Sequence, residues 1–116
     1  MTKTHDNLMA AFAGESQANQ RYLTFAKKAD LEGYPQVARL FRAAAAAESV
    51  HAGNHFRADE GVKATLENLI EARAGENYEV NTMYPPMLAA AQQEDHKKAA
   101  TSFNWALEVE KIHAAL

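Results

Sequence analysis

Small and apolar residues recur every three or four positions from Thr4 to Leu31, through Leu8, Ala11, Phe12, Ala18, Tyr22, Phe25, Ala26 and Ala29, which is the period of one helical face. The spacing predicts helix A over that stretch. Glu32-Gly33-Tyr34-Pro35 then supplies a helix-ending glycine and a proline suited to a first turn, so a tight reversal is expected there. Helix B is predicted from Pro35 to Ala58, packing through Val37, Leu40, Phe41, Ala44, Ala45, Ala52 and Phe56, and ending at Asp59-Glu60-Gly61. Helix C is expected from Leu66 to Gln93, capped by Thr65-Leu66-Glu67-Asn68, with Gly75 and Pro85-Pro86 as kinks or local breaks. Helix D runs from Asp95 to the end. If A and B form an antiparallel hairpin and C also faces them, the short stretch 61–65 must begin a crossover.

A shift of 62 lays Phe41, Glu48, His51 and Ala52 onto Phe103, Glu110, His113 and Ala114, and Glu32 and Ala38 onto Glu94 and Ala100. Ala13-Gly14-Glu15 matches Ala74-Gly75-Glu76 at a shift of 61. The halves read as duplicated. The expected fold is therefore all-α, an antiparallel four-helix bundle built from two pseudo-symmetric helical hairpins, with residues 1–116 as one domain.

Composition agrees and narrows the chemistry. The chain has 116 residues with only 5 Gly and 3 Pro, which favours helix throughout. A net charge of −3 with no basic stripe argues against nucleic acid as a partner. No apolar stretch approaches the roughly 20 residues that span a bilayer, so no membrane partner is expected. The start MTKTHDNL lacks a secretory hydrophobic region, and a cytoplasmic location is the expectation. With zero Cys, any metal must sit on oxygen and nitrogen ligands.

Two Glu-x-x-His units, Glu48 to His51 and Glu110 to His113, place an oxygen and a nitrogen on one helical face. Each half also has one Glu among packing positions on its first helix, Glu15 on A and Glu76 on C. Neighbours three and four residues away are small or apolar for the most part: Ala44, Ala45 and Ala52 around Glu48, Ala106, Leu107 and Ala114 around Glu110. Inward-facing carboxylates in such number repel one another unless cations join them. One Glu from each of two helices plus a Glu-x-x-His from each of the others is the ligand set of ferritin-like di-iron or di-manganese carboxylate bundles. Glu79, three residues beyond Glu76, adds a fifth carboxylate with no equivalent in the first half. Five carboxylates bring about −5 against +4 for two ferrous and +6 for two ferric ions. Manganese or zinc would suit the same donors. Tyr22 and Tyr84 lie about two turns from Glu15 and Glu76 on the same face, so their hydroxyls are candidates to bond ligand carboxylates. His5, at a frayed start, and His96, at a turn, are expected to be exposed, while His55 is assigned a supporting or surface role.

The runs Gly-Glu-Ser-Gln-Ala (14–18), Ala-Glu-Ser-Val-His-Ala (47–52), Gly-Glu-Asn-Tyr-Glu (75–79), Met-Tyr-Pro (83–85) and Glu-Val-Glu-Lys-Ile-His-Ala (108–114) resemble the rubrerythrin family over nearly the whole chain. The resemblance implies that Glu15, Glu48, His51, Glu76, Glu79, Glu110 and His113 are di-iron ligands, with Glu48 and Glu110 bridging. It implies reduction of hydrogen peroxide to water, with Glu79 and His51 as the pair that exchanges on one iron, and Tyr22 and Tyr84 near the centre. Many members carry a rubredoxin domain with a four-cysteine iron site. This Cys-free chain lacks one, so a separate rubredoxin-type donor is expected. Helix D stops three residues after His113, whereas helix B continues about two turns past His51, and a C-terminal piece is expected to follow. A homodimer is implied, with hairpins free to exchange between subunits. The alternatives are ferritin-type iron oxidation, binding or storage, and a structural bundle that takes up adventitious cations.

Overall fold

The computed structural model describes residues 2–116, and among these there is no strand. Five α-helices follow in order: α1 (Lys3–Leu31), α2 (Pro35–Ala58), α3 (Thr65–Tyr78), α4 (Tyr84–Gln93) and α5 (Lys97–Ala115). A π-helical segment, Glu79–Met83, joins α3 to α4, so α3, the π-segment and α4 together are the expected helix C. The chain divides into two compact units, one ending at Val62 and the other running Lys63–Leu116. Each unit is an all-α helical hairpin.

In the first hairpin, α1 and α2 meet along alanines. Ala18, Ala26 and Ala29 of α1 and Ala38, Ala45 and Ala52 of α2 are its buried residues. Methyl groups let the two backbones approach closely, and the Asn19 side-chain amide spans the gap to donate to the Ala45 carbonyl at 2.7 Å. Aromatic rings close the flanks, Phe12 on Phe56 at 5.0 Å and Phe41 against Tyr22 and Phe25 at 6.0 and 5.4 Å. The reversal is a Schellman turn: Tyr34 N–H donates to Ala29 O, Gly33 N–H donates to Asp30 O, and Gly33 sits at φ 83°, where only glycine is unstrained.

The second hairpin repeats this design with fewer buried residues, Ala91 and Leu107. Tyr84 packs on Phe103 at 6.2 Å, as Tyr22 does on Phe41. Its reversal is the same motif, with His96 N–H donating to Ala91 O and Asp95 N–H to Gln92 O. Here Asp95 takes the left-handed position at φ 53°, so α5 begins at Lys97 rather than at Asp95 as expected. His96 is exposed as expected and caps α5, its Nδ1 accepting from Ala99 N–H. An apolar groove of about 410 Å³ lies beside the first turn, lined among others by Phe25, Ala29, Val37 and Phe41. A second of about 310 Å³, with Met87, Ala91, Ala99 and Phe103, lies beside the other turn, each lining position 62 residues after its counterpart.

The π-segment accounts for the change of offset between the halves. Glu15 pairs with Glu76 at 61, but Tyr22 pairs with Tyr84 and Phe41 with Phe103 at 62. One additional residue therefore lies between Glu76 and Tyr84, and the wider turn absorbs it, with Tyr84 N–H donating five residues back to Glu79 O. Pro85 and Pro86 follow at once and lack the N–H groups that α-geometry needs four residues back, so the wider turn sits where backbone donors are already missing. The break falls there and not at Gly75, which lies within α3. Two other expectations change. Helix C starts one residue earlier, at Thr65, with Glu67 and Asn68 receiving the N–H groups of Ala64 and Lys63. His5 is neither frayed nor free: Thr2 caps α1 by accepting from His5 N–H, and His5 Nδ1 lies 2.7 Å from Asp59 Oδ1 at the end of α2.

Candidate metal centre

Glu15 reaches the inner face of α1 because Ala11, Phe12, Ala18 and Asn19, its neighbours one turn away, include the positions packed against α2. Glu48 and His51 are one turn apart on α2, on the face that carries Ala45 and Ala52. The three side chains meet, each offering one ligand atom within 4.8 Å of the others. His51 Nδ1 is 3.5 Å from Glu15 Oε2 and 3.5 Å from Glu48 Oε2.

The second hairpin reproduces the group with Glu76 of α3 and Glu110 and His113 of α5. His113 Nδ1 stands 3.7 Å from Glu76 Oε2 and 3.3 Å from Glu110 Oε2. In both groups the glutamates are half-buried and the histidine is the exposed member.

His113 Nδ1 and Glu110 Oε2 are within hydrogen-bonding reach of one another, while the other three separations, 3.5, 3.5 and 3.7 Å, are longer than hydrogen bonds and nearer to the spacing of two ligands on one cation. A charge-assisted N–H···O bond is about 2.7–2.9 Å, whereas two ligands on one ion at bonds of about 2.0–2.1 Å stand roughly 3.0–3.4 Å apart. Glu15 Oε2 and Glu76 Oε2 are moreover buried without any hydrogen-bond partner. Such oxygens are costly unless something positive meets them. Two carboxylates inside 4.8 Å repel by on the order of 3 kcal/mol at an effective dielectric of about 20. The residues present fit metal ions at both groups.

Six of the seven expected ligands thus fall into two groups, one on each hairpin. Glu79 is not in either group; it is half-buried and opens the π-segment, three residues after Glu76. Tyr22 and Tyr84 are half-buried against Phe41 and Phe103, and among the described residues neither hydroxyl hydrogen-bonds a ligand carboxylate. His55 is half-buried and belongs to neither group. Asn19 was not singled out by sequence. Its position four residues after Glu15, on the same face, was the available signal, and its bond to Ala45 O clamps α1 to α2 beside the first group. No helix is long and apolar enough to cross a membrane among the described residues.

The family model described as Rubrerythrin matches residues 6–116. Rubrerythrin-2 of Clostridium acetobutylicum is 40% identical over 127 residues, taking in 97% of this chain and 69% of that protein. Nigerythrin of Nitratidesulfovibrio vulgaris is 39% identical over 125 residues, covering 96% of this chain and 62% of that protein. The solved structure of nigerythrin in its fully reduced, all-ferrous state matches with a TM-score of 0.50 at 37% identity, covering 99% of this chain and 64% of that one. The chain thus spans between three fifths and seven tenths of these relatives. Because 97% of this chain is about 113 residues, the alignment of 127 leaves about 14 residues of Rubrerythrin-2 without a counterpart here.

Proposed function

Because the chain belongs to the rubrerythrin family, we propose that it holds two iron ions on Glu15, Glu48, His51, Glu76, Glu79, Glu110 and His113 and reduces hydrogen peroxide to water. The observation that carries this reading is the pair of matched Glu/Glu/His groups, each with a buried glutamate oxygen that no hydrogen bond meets. Reduction of one peroxide takes two electrons and two protons and yields two waters. Two bound ferrous ions supply those electrons and the Lewis acidity that O–O cleavage calls for.

The protein's part is to hold charge and leave room. Glu48 and Glu110 are the bridging candidates, and Glu15 and Glu76 close the set from α1 and α3. Ala44, Ala45 and Ala52 around Glu48 are too small to fill the space an ion needs. Five carboxylates at about −5 lie between the charges of two ferrous and two ferric ions, so either state is met by near-neutrality. The exposed imidazoles of His51 and His113 are the members of each group that can move without disturbing helix packing. Glu79 and His51 are proposed as the redox-exchanging pair. Glu79 sits on the π-segment, a local geometry frequent at functional sites. Electrons return from a separate donor.

The test is anaerobic mixing of the diferrous protein with hydrogen peroxide, followed by absorbance and by peroxide consumed. Oxidation at one peroxide per two irons, faster than with dioxygen, is expected. Faster reaction with dioxygen, or loading far beyond two irons per chain, would replace this reading with ferritin-type iron oxidation and storage.

A further inference from the structure

The two hairpins carry matching donors, but their helices are not tied together alike. In the first, Asn19 stands one turn after Glu15 on α1 and Ala45 one turn before Glu48 on α2, and Asn19 Nδ2 donates to Ala45 O at 2.7 Å across the gap. The amide is oriented from both ends: only its nitrogen can donate to a carbonyl, and its Oδ1 accepts from Gln20 Nε2 at 3.0 Å. In an α-helix Ala45 O also accepts from the N–H of Ser49, so the amide takes the second lone pair and leaves α2 continuous. The bond thus joins the turn that carries Glu15 to the turn that carries Glu48. It has company towards either end of the hairpin, where His5 Nδ1 lies 2.7 Å from Asp59 Oδ1 and Arg42 donates to Asp30 at 2.9 Å.

None of these ties is repeated in the second hairpin. Four residues after Glu76 stands Val80, which has no side-chain donor. The asparagine that matches Asn19 at the offset of 62 is Asn81, which lies within the π-segment and is exposed. Across from it Ala45, at 0% exposure, is matched by Leu107, a far larger buried side chain. Among the described residues no side-chain hydrogen bond joins α3 or the π-segment to α5, and the separation of Glu76 from Glu110 and His113 is left to apolar packing such as that of Tyr84 on Phe103. The additional residue taken up by the π-segment has carried the amide away from the position four residues after the glutamate.

We propose that Asn19 is a positioning residue: by fixing the separation of α1 and α2 it presets the Glu15 carboxylate against Glu48 and His51 before any ion arrives, so that the first group is the rigid half of the metal centre and the second the half that adjusts. The inference rests on the metal assignment proposed above. Donors already at their spacing need not be ordered by the ion, so removing their support lowers affinity although no ligand is touched. The adjusting half is also the one that carries Glu79, the carboxylate without a counterpart.

The test titrates cobalt(II), a spectroscopic stand-in for the ferrous ion, into metal-free wild type, Asn19→Leu and Asn81→Leu, at a temperature where circular dichroism shows them folded. Leucine keeps the shape of asparagine and loses the donor. Asn19→Leu should weaken by about tenfold the ion whose paramagnetically shifted imidazole signal is missing from His51→Ala. The other ion, and both ions of Asn81→Leu, should keep wild-type affinity. A bond that only stabilises the fold would lower the melting temperature and leave affinities in the folded protein alone, so both ions unchanged, or both weakened alike, overturns the proposal. A metal-free measurement does not depend on that variant. The chain has no Cys, so spin labels can be placed through Gln17→Cys/Ala46→Cys at exposed positions of the first hairpin and through Tyr78→Cys/Glu108→Cys at their counterparts in the second. The first pair should give the narrower distance distribution, and Asn19→Leu should broaden it. Equal widths in the two labelled chains overturn the proposal even where Asn19→Leu does not fold. A narrow first pair and a broad second pair in protein that takes up no cobalt overturn the metal assignment instead.

Discussion

Glu48 shows how one side chain can carry opposite effects with and without metal. It stands within 4.8 Å of a second carboxylate, so neutralising it in metal-free protein removes repulsion. Glu48→Gln should leave metal-free stability unchanged or raise it by up to about 1 kcal/mol. With iron present it should lose most of the metal-induced gain. Urea unfolding of both proteins, with and without iron, reads the difference, and a loss of stability without metal would contradict the assignment. Asp95 makes a simpler case. It occupies a left-handed position at φ 53° that its counterpart Gly33 fills without strain, so Asp95→Gly should stabilise by about 1 kcal/mol in thermal or urea unfolding. At this scale the two Glu/Glu/His groups were readable because Glu-x-x-His fixes two side chains on one helical face. His5 with Asp59 was not readable, since partners 54 residues apart meet only through the antiparallel return of α2.

Among the elements, four helical stretches and the hairpin turns at Gly33 and Asp95 followed from periodicity and breakers, with ends displaced by one or two residues where caps decided them. The π-segment did not follow. The offset of 61 at Glu76 against 62 at Glu110 recorded an additional residue, but only the backbone shows that Glu79–Met83 takes it up as a wider turn. Deleting Asn81 should therefore convert that turn to plain α-helix and leave Tyr84 on the face that meets Phe103. Far-ultraviolet circular dichroism should be retained and unfolding should remain cooperative, while iron-loaded reactivity with peroxide changes because Glu79 is re-aimed. Collapse of helical signal on deletion would show that the segment is required for folding and is not an insertion.

For the whole molecule, ions that bind the folded chain and not the unfolded one must raise stability with the logarithm of free metal once the site is saturated. Iron at about a hundredfold excess over its dissociation constant should add roughly 2.7 kcal/mol per site, seen as a rise in melting temperature that chelation reverses. An unchanged transition would favour adventitious binding. Duplication was legible from matching residues, and the structure extends it to grooves whose lining positions correspond throughout. The seven-ligand set was legible only in part as geometry: the hairpins show three donors each, and Glu79 stands outside them.

Alanine methyls at Ala26, Ala38 and Ala45, at most 1% exposed, have no rotamers with which to adapt. The jaw between α1 and α2 is consequently set to one width, whether or not an ion sits in it. Adjustment to ions of different radius is then limited to the short reach of the imidazole and carboxylate arms, so iron, manganese and zinc should raise the melting temperature of the metal-free protein more than the larger cadmium or calcium.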